Sequence, residues 1–394
     1  LKRRTAAVFA ALCILSALTV AARIAAASPP APQRVPVIDV TDLYHPHQDV
    51  GDNFDLIAAY ALPTVELRAV ILDAHARFRK PFRNADGVGY DDATGPRDAG
   101  FIPVLQLNDL FDRRVPCAPA PYAEMRSLND RMEDAPRFQQ AGVDLLLRAL
   151  RESRSRVHIL SFGSARPVAL AFNRDPGLMR RKVARIHLCA GASPAGYLEW
   201  NVMLDRRAFV QVLRSGLPTA VYPCANERSP FELGPNNTYW KLPNLEFVRR
   251  MVPRLQSYVA YAFERSARSD FLNAVEERPD PAAVARIAAR EHHVWETSVW
   301  AQVAGLRLVQ RPGVGGRLVP AAEVRPGDVA VPERLVPCRL RVTDDGQFTW
   351  ERTSKPTPHA IFQRDDPARS QAALREALPA LYESFRTPGA QTSG

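Results

Sequence analysis

Residues 37–71 read VIDVTDLYHPHQDVGDNFDLIAAYALPTVELRAVI, and the order of their parts decides the fold class. A short apolar run carrying Val37 and Ile38 reads as a buried strand that delivers Asp39 at its end. Asp39, Asp42, Asp49, Asp52 and Asp55 then crowd into seventeen residues, with His45 and His47 between them. Five carboxylates this close repel one another unless a cation sits among them, so the segment is either a solvated loop or a hard-metal site. The metal is favoured: a solvated acidic loop has no need of a buried strand before it and an apolar helix, predicted over 54–62, after it. Strand, acidic loop and helix in that order place ligand groups at strand carboxyl ends in open α/β sheets.

Outward from this stretch the alternation continues. A second strand over 65–72 ends in Asp73 and His75, and a third is expected over 101–105. Residues 109–136 form a long irregular excursion with Pro116, Pro119 and Pro121, a length that suits a lid or binding loop. An amphipathic helix over 139–151 leads to a strand over 157–162, which runs into Gly163-Ser164-Ala165-Arg166-Pro167. A helix over 168–172 and a strand over 184–189, ending at Ala190-Gly191-Ala192, follow. Glu199-Trp200-Asn201 then precedes a helix over 205–215 and a strand over 218–222. The polar segment 226–243, with Asn236, Asn237, Tyr239 and Trp240, reads as a surface loop able to reach a ligand. Long helices are predicted over 244–266, with Asn244 as N-cap, and over 281–289. Glu291-His292-His293-Val294-Trp295-Glu296 opens another helix, and strands over 338–342 and 348–352 precede a final helix over 370–385. Tyr90-Asp91-Asp92-Ala93 has no strand before it and reads as a turn or cap. No repeat and no composition shift appears, so 35–386 is expected to form one α/β domain with a mostly parallel open sheet flanked by helices.

The chain has 394 residues, 46% of them hydrophobic, enough for a sizeable core. Lys2, Arg3 and Arg4 before the apolar run 6–22 and the small residues Ala25, Ala26 and Ala27 have the form of a secretory signal peptide over 1–27. A Pro-rich linker over 28–34 and a loose tail over 387–394 complete the expected organisation, for a secreted or extracytoplasmic protein with no stable membrane insertion after processing. Loss of residues 1–27 removes four cations and no anions, lowering the net charge from +10 to +6. The remaining basicity is scattered arginine, with no basic run interleaved with aromatics, which argues against nucleic acid as a partner. Cys117, Cys189, Cys224 and Cys338 fit no zinc spacing, and their pairing is open.

With the acidic loop, GSARPVALA and the Glu-Trp-Asn segment in view, the chain resembles the inosine-uridine nucleoside hydrolases over nearly all of its predicted mature length. That family's strand with spaced aspartates corresponds to Asp39 through Asp52, its Gly-Pro-Leu-Thr-Asn to Gly163 through Pro167, and its Gly-Gly-Ala to Ala190-Gly191-Ala192. Its Glu-Phe-Asn and following Asp correspond to Glu199, Trp200, Asn201 and Asp205, and its C-terminal His-Asp to Trp295-Glu296. The resemblance implies calcium-dependent hydrolysis of an N-glycosidic bond of a nucleoside or related ribosyl compound by metal-activated water. It implies Asp39 as base and ligand, Asp49, Asp52, Glu296 and the main-chain carbonyl of Arg166 as further ligands, and Glu199 and Asn201 on the ribose hydroxyls. The small-molecule substrate is the expected partner, and a homo-oligomer is left open.

The departures bear on the same residues. The loop from Asp39 to Asp52 is longer than the family's, and position 51 is Gly where the family has Asp, so Asp49 or Asp42 must supply a ligand. Leu72-Asp73-Ala74-His75 stands where the family has Val-Gly-Asn, which puts Asp73 forward for substrate binding. Trp295 replaces the His proposed as leaving-group acid, and His293, with His292 beside it, is the nearest substitute. Trp200, Trp240 and Trp295 are each candidates to stack on a base or to fill core, with Trp295 assigned to the substrate. The competing reading is a catalytically inactive secreted ligand-binding protein of the same fold; an acidic loop without metal is the third.

Overall fold

Strand β1 (Val35–Thr41) carries the apolar run and continues two residues past Asp39. It pairs in parallel with β2 (Val65–Leu72), which in turn pairs with the short edge strand β3 (Cys117–Pro119). On its other side β1 pairs in parallel with β4 (Val157–Ser161), followed by β5 (Val183–Cys189) and β6 (Thr219–Tyr222). The last three strands are β7 (Glu333–Val342), β8 (Phe348–Arg352) and β9 (His359–Arg364). β9 joins β6 in parallel, and β7 closes the sheet antiparallel between β9 and β8. The nine-stranded order is β8-β7-β9-β6-β5-β4-β1-β2-β3. The chain leaves β1 toward β2 on one side and returns with β4 on the other, so the order reverses at β1. The crevice at the carboxyl ends flanking that strand is where an open α/β sheet receives its ligand.

This is a computed structural model, and it describes residues 34–83, 89–90 and 96–388. The expected signal segment, nearly all of the linker, Asp91, Asp92 and the end of the tail lie outside the described residues. Among the described residues no helix is long and apolar enough to cross a membrane.

β1 is covered on both faces, as a central parallel strand requires: Val37 packs into one apolar cluster, Ile38 and Val40 into the other. The helix after the acidic loop, Gly51–Ala61, buries its residues from Asn53 to Tyr60. The expected strand over 101–105 is instead the start of the helix Phe101–Leu110. The Asp98 side chain accepts the N–H groups of Gly100 (2.6 Å) and Phe101 (3.1 Å), and Pro103 lacks a ladder donor, which the first helical turn tolerates and a strand does not. The single helix expected over 244–266 is two pieces, a 3-10 turn Glu246–Arg250 and the helix Pro253–Phe263, because Pro253 disfavours helical backbone at the residue before it. His292–Val294 is a short strand antiparallel to Trp240–Leu242, and the expected helix begins after it, at Thr297.

Inside the sheet, His158, His187 and Tyr222 hydrogen-bond in series, 2.9 Å from His158 Nδ1 to His187 Nε2 and 3.0 Å from His187 Nδ1 to Tyr222 Oη. Burial pushes the His187 imidazole well below its ordinary value. An unfolded chain therefore takes up a proton at this residue below about pH 6.5 while the folded one does not, so the stability it contributes is full above that pH and is lost as pH falls. The expected slope is about 1.4 kcal/mol per pH unit for this group, and His187→Gln should flatten the acid limb of stability measured by urea unfolding. An unchanged limb would show that His187 is not held neutral.

Candidate functional site

The carboxyl end of β1 and the turn after it gather the acidic residues. Asp39 is 1% exposed, and its Oδ1 has no hydrogen-bond partner. Asp42, also buried, follows just past the strand. The exposed Asp49 accepts the N–H of Gly51 at 2.7 Å, turning the chain into the helix Gly51–Ala61. That helix presents Asp52 and Asp55 one turn apart on one face. Glu296 comes from far along the chain, immediately before the helix Thr297–Ala304, with its Oε2 accepting the Trp295 N–H at 3.0 Å. Its carboxyl shares a hydrogen bond with that of Asp55.

Desolvation and mutual repulsion then act together. Burial pushes Asp39 up to about 7, and desolvation does the same to Glu296. Asp42, Asp52 and Asp55 are each held well above the usual carboxylate range, first by desolvation and then by their acidic neighbours: Asp73 and Asp49 on Asp42, Asp42 and Asp49 on Asp52, Glu296 and Asp39 on Asp55. Asp52 is thus within electrostatic reach of Glu296, and Asp55 within reach of both Glu296 and Asp39.

A hard divalent cation suits this donor set, which is all carboxylate oxygen, and the orphaned Asp39 Oδ1 is a buried acceptor in want of a partner. The shell is not preassembled: among the described residues, no three or more His, Cys, Asp or Glu side chains already stand where they could hold an ion.

Arg166 and Asp73 take places other than those the motif correspondence implied. Arg166 opens the helix Arg166–Arg174, so its carbonyl enters that helix's own ladder. Its side chain, fully buried, lies 2.7 Å from Asp73 Oδ1 and 3.8 Å from Asp205 Oδ2. The other Asp73 oxygen accepts the Ser164 N–H at 2.6 Å, so Asp73 is consumed behind the pocket wall rather than facing a substrate. Gly163 is what lets the two strand ends close up: a Cβ there would meet Asp73 Oδ2 at 2.8 Å and Asp42 Oδ1 at 3.4 Å.

In front of the cluster lies a cavity of about 390 Å³ whose floor includes Asp42, Asp49, Asp52 and Glu296 and whose wall includes Glu199 and Asn201. Glu199 caps the short helix Trp200–Leu204, accepting N–H groups from Asn201 and Val202 and, at 2.8 Å, from Gly191. Asn201 Nδ2 donates to the carbonyls of Phe162 (3.1 Å) and Cys189 (2.8 Å). Two carbonyl partners fix the amide's orientation and leave Oδ1 as the group available to a ligand.

The rim is aromatic. Trp295 hangs its indole N–H on the carbonyls of Cys224 (2.9 Å) and Pro230 (3.3 Å), with the half-exposed Phe231 at 5.9 Å between ring centroids. Trp200 also lines the cavity, 4.8 Å from Phe78, whereas Trp240 is fully buried core. His293 is behind the rim, 5.0 Å from the Phe231 ring, with Tyr239 Oη 2.9 Å from its Nδ1. His292 turns the other way, toward Gly51 and the Phe54 ring. His45 and His47 also face inward, toward Tyr261 and Asn53. The sequence offers Asp42 only as an alternative to Asp49 and singles out neither Asp55 nor Phe231 as a site residue. An exposed aromatic in the polar loop 226–243 is the available signal for Phe231; the count of acidic residues is the signal for Asp42 and Asp55.

No family model matches the chain. A segment of 83 residues is 37% identical to the pyrimidine-specific ribonucleoside hydrolases of Citrobacter koseri and Escherichia coli O1:K1, covering 20% of this chain and 26% of each relative. The chain thus spans about a quarter of the length of the curated relatives it matches. Among solved structures it is similar to a plant nucleoside hydrolase, with TM-score 0.50 and 15% identity over 89% of this chain and 100% of that one. It is similar also to a purine-preferring ribonucleoside hydrolase from Gardnerella vaginalis, with TM-score 0.51 and 13% identity over 88% of this chain and 99% of the other. At these identities the structural likeness speaks for the fold.

Proposed function

We propose, for a chain whose fold is that of the nucleoside hydrolases, a metal-dependent enzyme that cleaves the N-glycosidic bond of a ribonucleoside. The observation that carries this reading is the convergence of Asp39, Asp42, Asp52, Asp55 and Glu296 at the sheet's reversal point, beneath a cavity lined by Glu199, Asn201 and Trp295. Oxygens of Asp39, Asp42, Asp49, Asp52 and Glu296 would hold the cation, which when bound lowers the pKa of a water and orients it. Calcium is the ion proposed, because its flexible shell of six to eight oxygens tolerates donors that are not rigidly placed. Asp39 accepts the proton of the attacking water at its free Oδ1. Asn201 Oδ1 and the Glu199 carboxylate hold ribose hydroxyls, contacts that strengthen as the sugar flattens toward an oxocarbenium ion. Trp295 and Phe231 exclude water from the departing base. His293, the sequence-based candidate for proton donor to that base, stands behind the Phe231 ring with its Nδ1 on Tyr239 and does not line the cavity, so the donor is left unassigned.

A panel of purine and pyrimidine ribonucleosides, assayed for free ribose, tests this. Release should require a divalent ion, stop on chelation and return with calcium more fully than with magnesium. Ribose released undiminished after chelation would refute the metal's role. Tight nucleoside binding with no ribose under any ion would identify the binding protein instead. The sequence-based expectation of export belongs to the same proposal and would be checked by sequencing the amino terminus of the mature protein.

A further inference from the structure

The fold selects among the cysteine pairings that the sequence leaves open. Cys117 lies in β3 at one edge of the sheet and Cys338 in β7 near the other, with six strands between them. At about 4.8 Å per strand that is on the order of 30 Å. Cys189, at the end of β5, has two strands between it and β7 and three between it and β3. Cys224, just past β6, is separated from β7 by β9. None of these approaches the roughly 7 Å between Cα atoms that a disulfide tolerates. Cys189 and Cys224 are different: both are buried, and their sulfurs are 3.4 Å apart.

We propose that Cys189 and Cys224 form a dithiol that oxidises to a single disulfide, and that its redox state is felt in the acidic cavity. The two backbones that carry the sulfurs also anchor the cavity. The Cys189 carbonyl accepts the Asn201 amide at 2.8 Å, and the Cys224 carbonyl accepts the Trp295 indole N–H at 2.9 Å. Cys224 itself lines the cavity. A bond of about 2.05 Å requires the sulfurs to close by roughly 1.4 Å, and the anchored groups move with them. The effect on a nucleoside rests on the function proposed above; the bond itself does not.

The chemistry is thiol–disulfide exchange with a small organic disulfide. Cys224, reached through the cavity, attacks as thiolate, having lost its proton to solvent. The reagent's S–S bond breaks, and one reagent thiolate leaves and takes up a proton. Cys189 then attacks the Cys224 sulfur of the mixed disulfide and expels the second reagent thiol. The protein loses two electrons and two protons, and the reagent gains them. Burial pushes the Cys224 thiol well up, so the exchange is slow at neutral pH and quickens as pH rises.

The full chain is treated with hydroxyethyl disulfide, unfolded, alkylated and digested. The expected product is two hydrogens lighter, links the peptides carrying Cys189 and Cys224, and leaves Cys117 and Cys338 alkylated. Its dissociation constant for the best-bound nucleoside should change by about threefold or more, and saturating nucleoside should slow the reaction by covering Cys224. Tryptophan emission gives a ligand-free reading, since Trp295 hangs on the Cys224 carbonyl. Cys189→Ala, or Cys224→Ala should the first fail to fold, must abolish both changes, whereas the Cys117→Ser, Cys338→Ser double variant keeps them. Absence of the Cys189 to Cys224 link, or a link with unchanged affinity and emission, overturns the proposal. A protein that forms the bond but cleaves no nucleoside sinks the hydrolase reading alone; one that cleaves without forming it sinks only the dithiol.

Discussion

Asp39→Asn is expected to lower ribose release about a thousandfold while leaving the fold at least as stable as before in the presence of chelator. The two halves follow from one observation. Asp39 is 1% exposed with one oxygen unpartnered, and burial has already pushed it up to about 7. Without a cation nearby, its charge is a liability of the folded state, because a buried ion lacking a hydrogen bond is costly. The amide keeps the shape and removes the charge, so the liability goes and the proton acceptor goes with it. Single-turnover ribose release and thermal unfolding of the same two proteins check both halves. A fall in activity matched by a fall in melting temperature would mean that Asp39 holds the strand end together rather than taking a proton.

What could be read from the sequence was set by range. β1, the acidic turn and the helix after it are contiguous, so alternation and charge sufficed to place them. Glu199 and Glu296 were reachable only through motif order, because nothing local ties residue 296 to residue 39. The failures came where a local signal competed with a distant one. The apolar segment after Gly100 has the composition of a strand, but Asp98 and Pro103 suit a helix start, and His292–Val294 is a strand because Trp240–Leu242 offers it a partner. Arg166 is the sharpest case: its motif position suggested a ligand carbonyl, while its guanidinium, invisible to motif reading, meets two buried acids.

That guanidinium is the basis of the largest stability effect expected. Arg166, Asp73 and Asp205 are all essentially inaccessible to water. Arg166→Met leaves Asp73 facing Asp42 over Gly163, whose missing side chain lets the two come close, with the Arg166 charge behind them gone. Breaking such a pair from one side costs about 3–5 kcal/mol, because the remaining charge stays buried and unpaired. Adding Asp73→Asn should recover a large part of that loss, since it removes the abandoned charge, and a double-mutant cycle in urea unfolding measures the recovery. The same cycle bears on the acidic cluster. Arg166 supplies positive potential from behind, so a cation in front competes with it. In Arg166→Met the gain in melting temperature on adding calcium should therefore exceed that of the parent. An equal gain would mean that the cation binds out of electrostatic reach of Asp73, and the cluster around Asp42 would lose its claim to be the place where it sits.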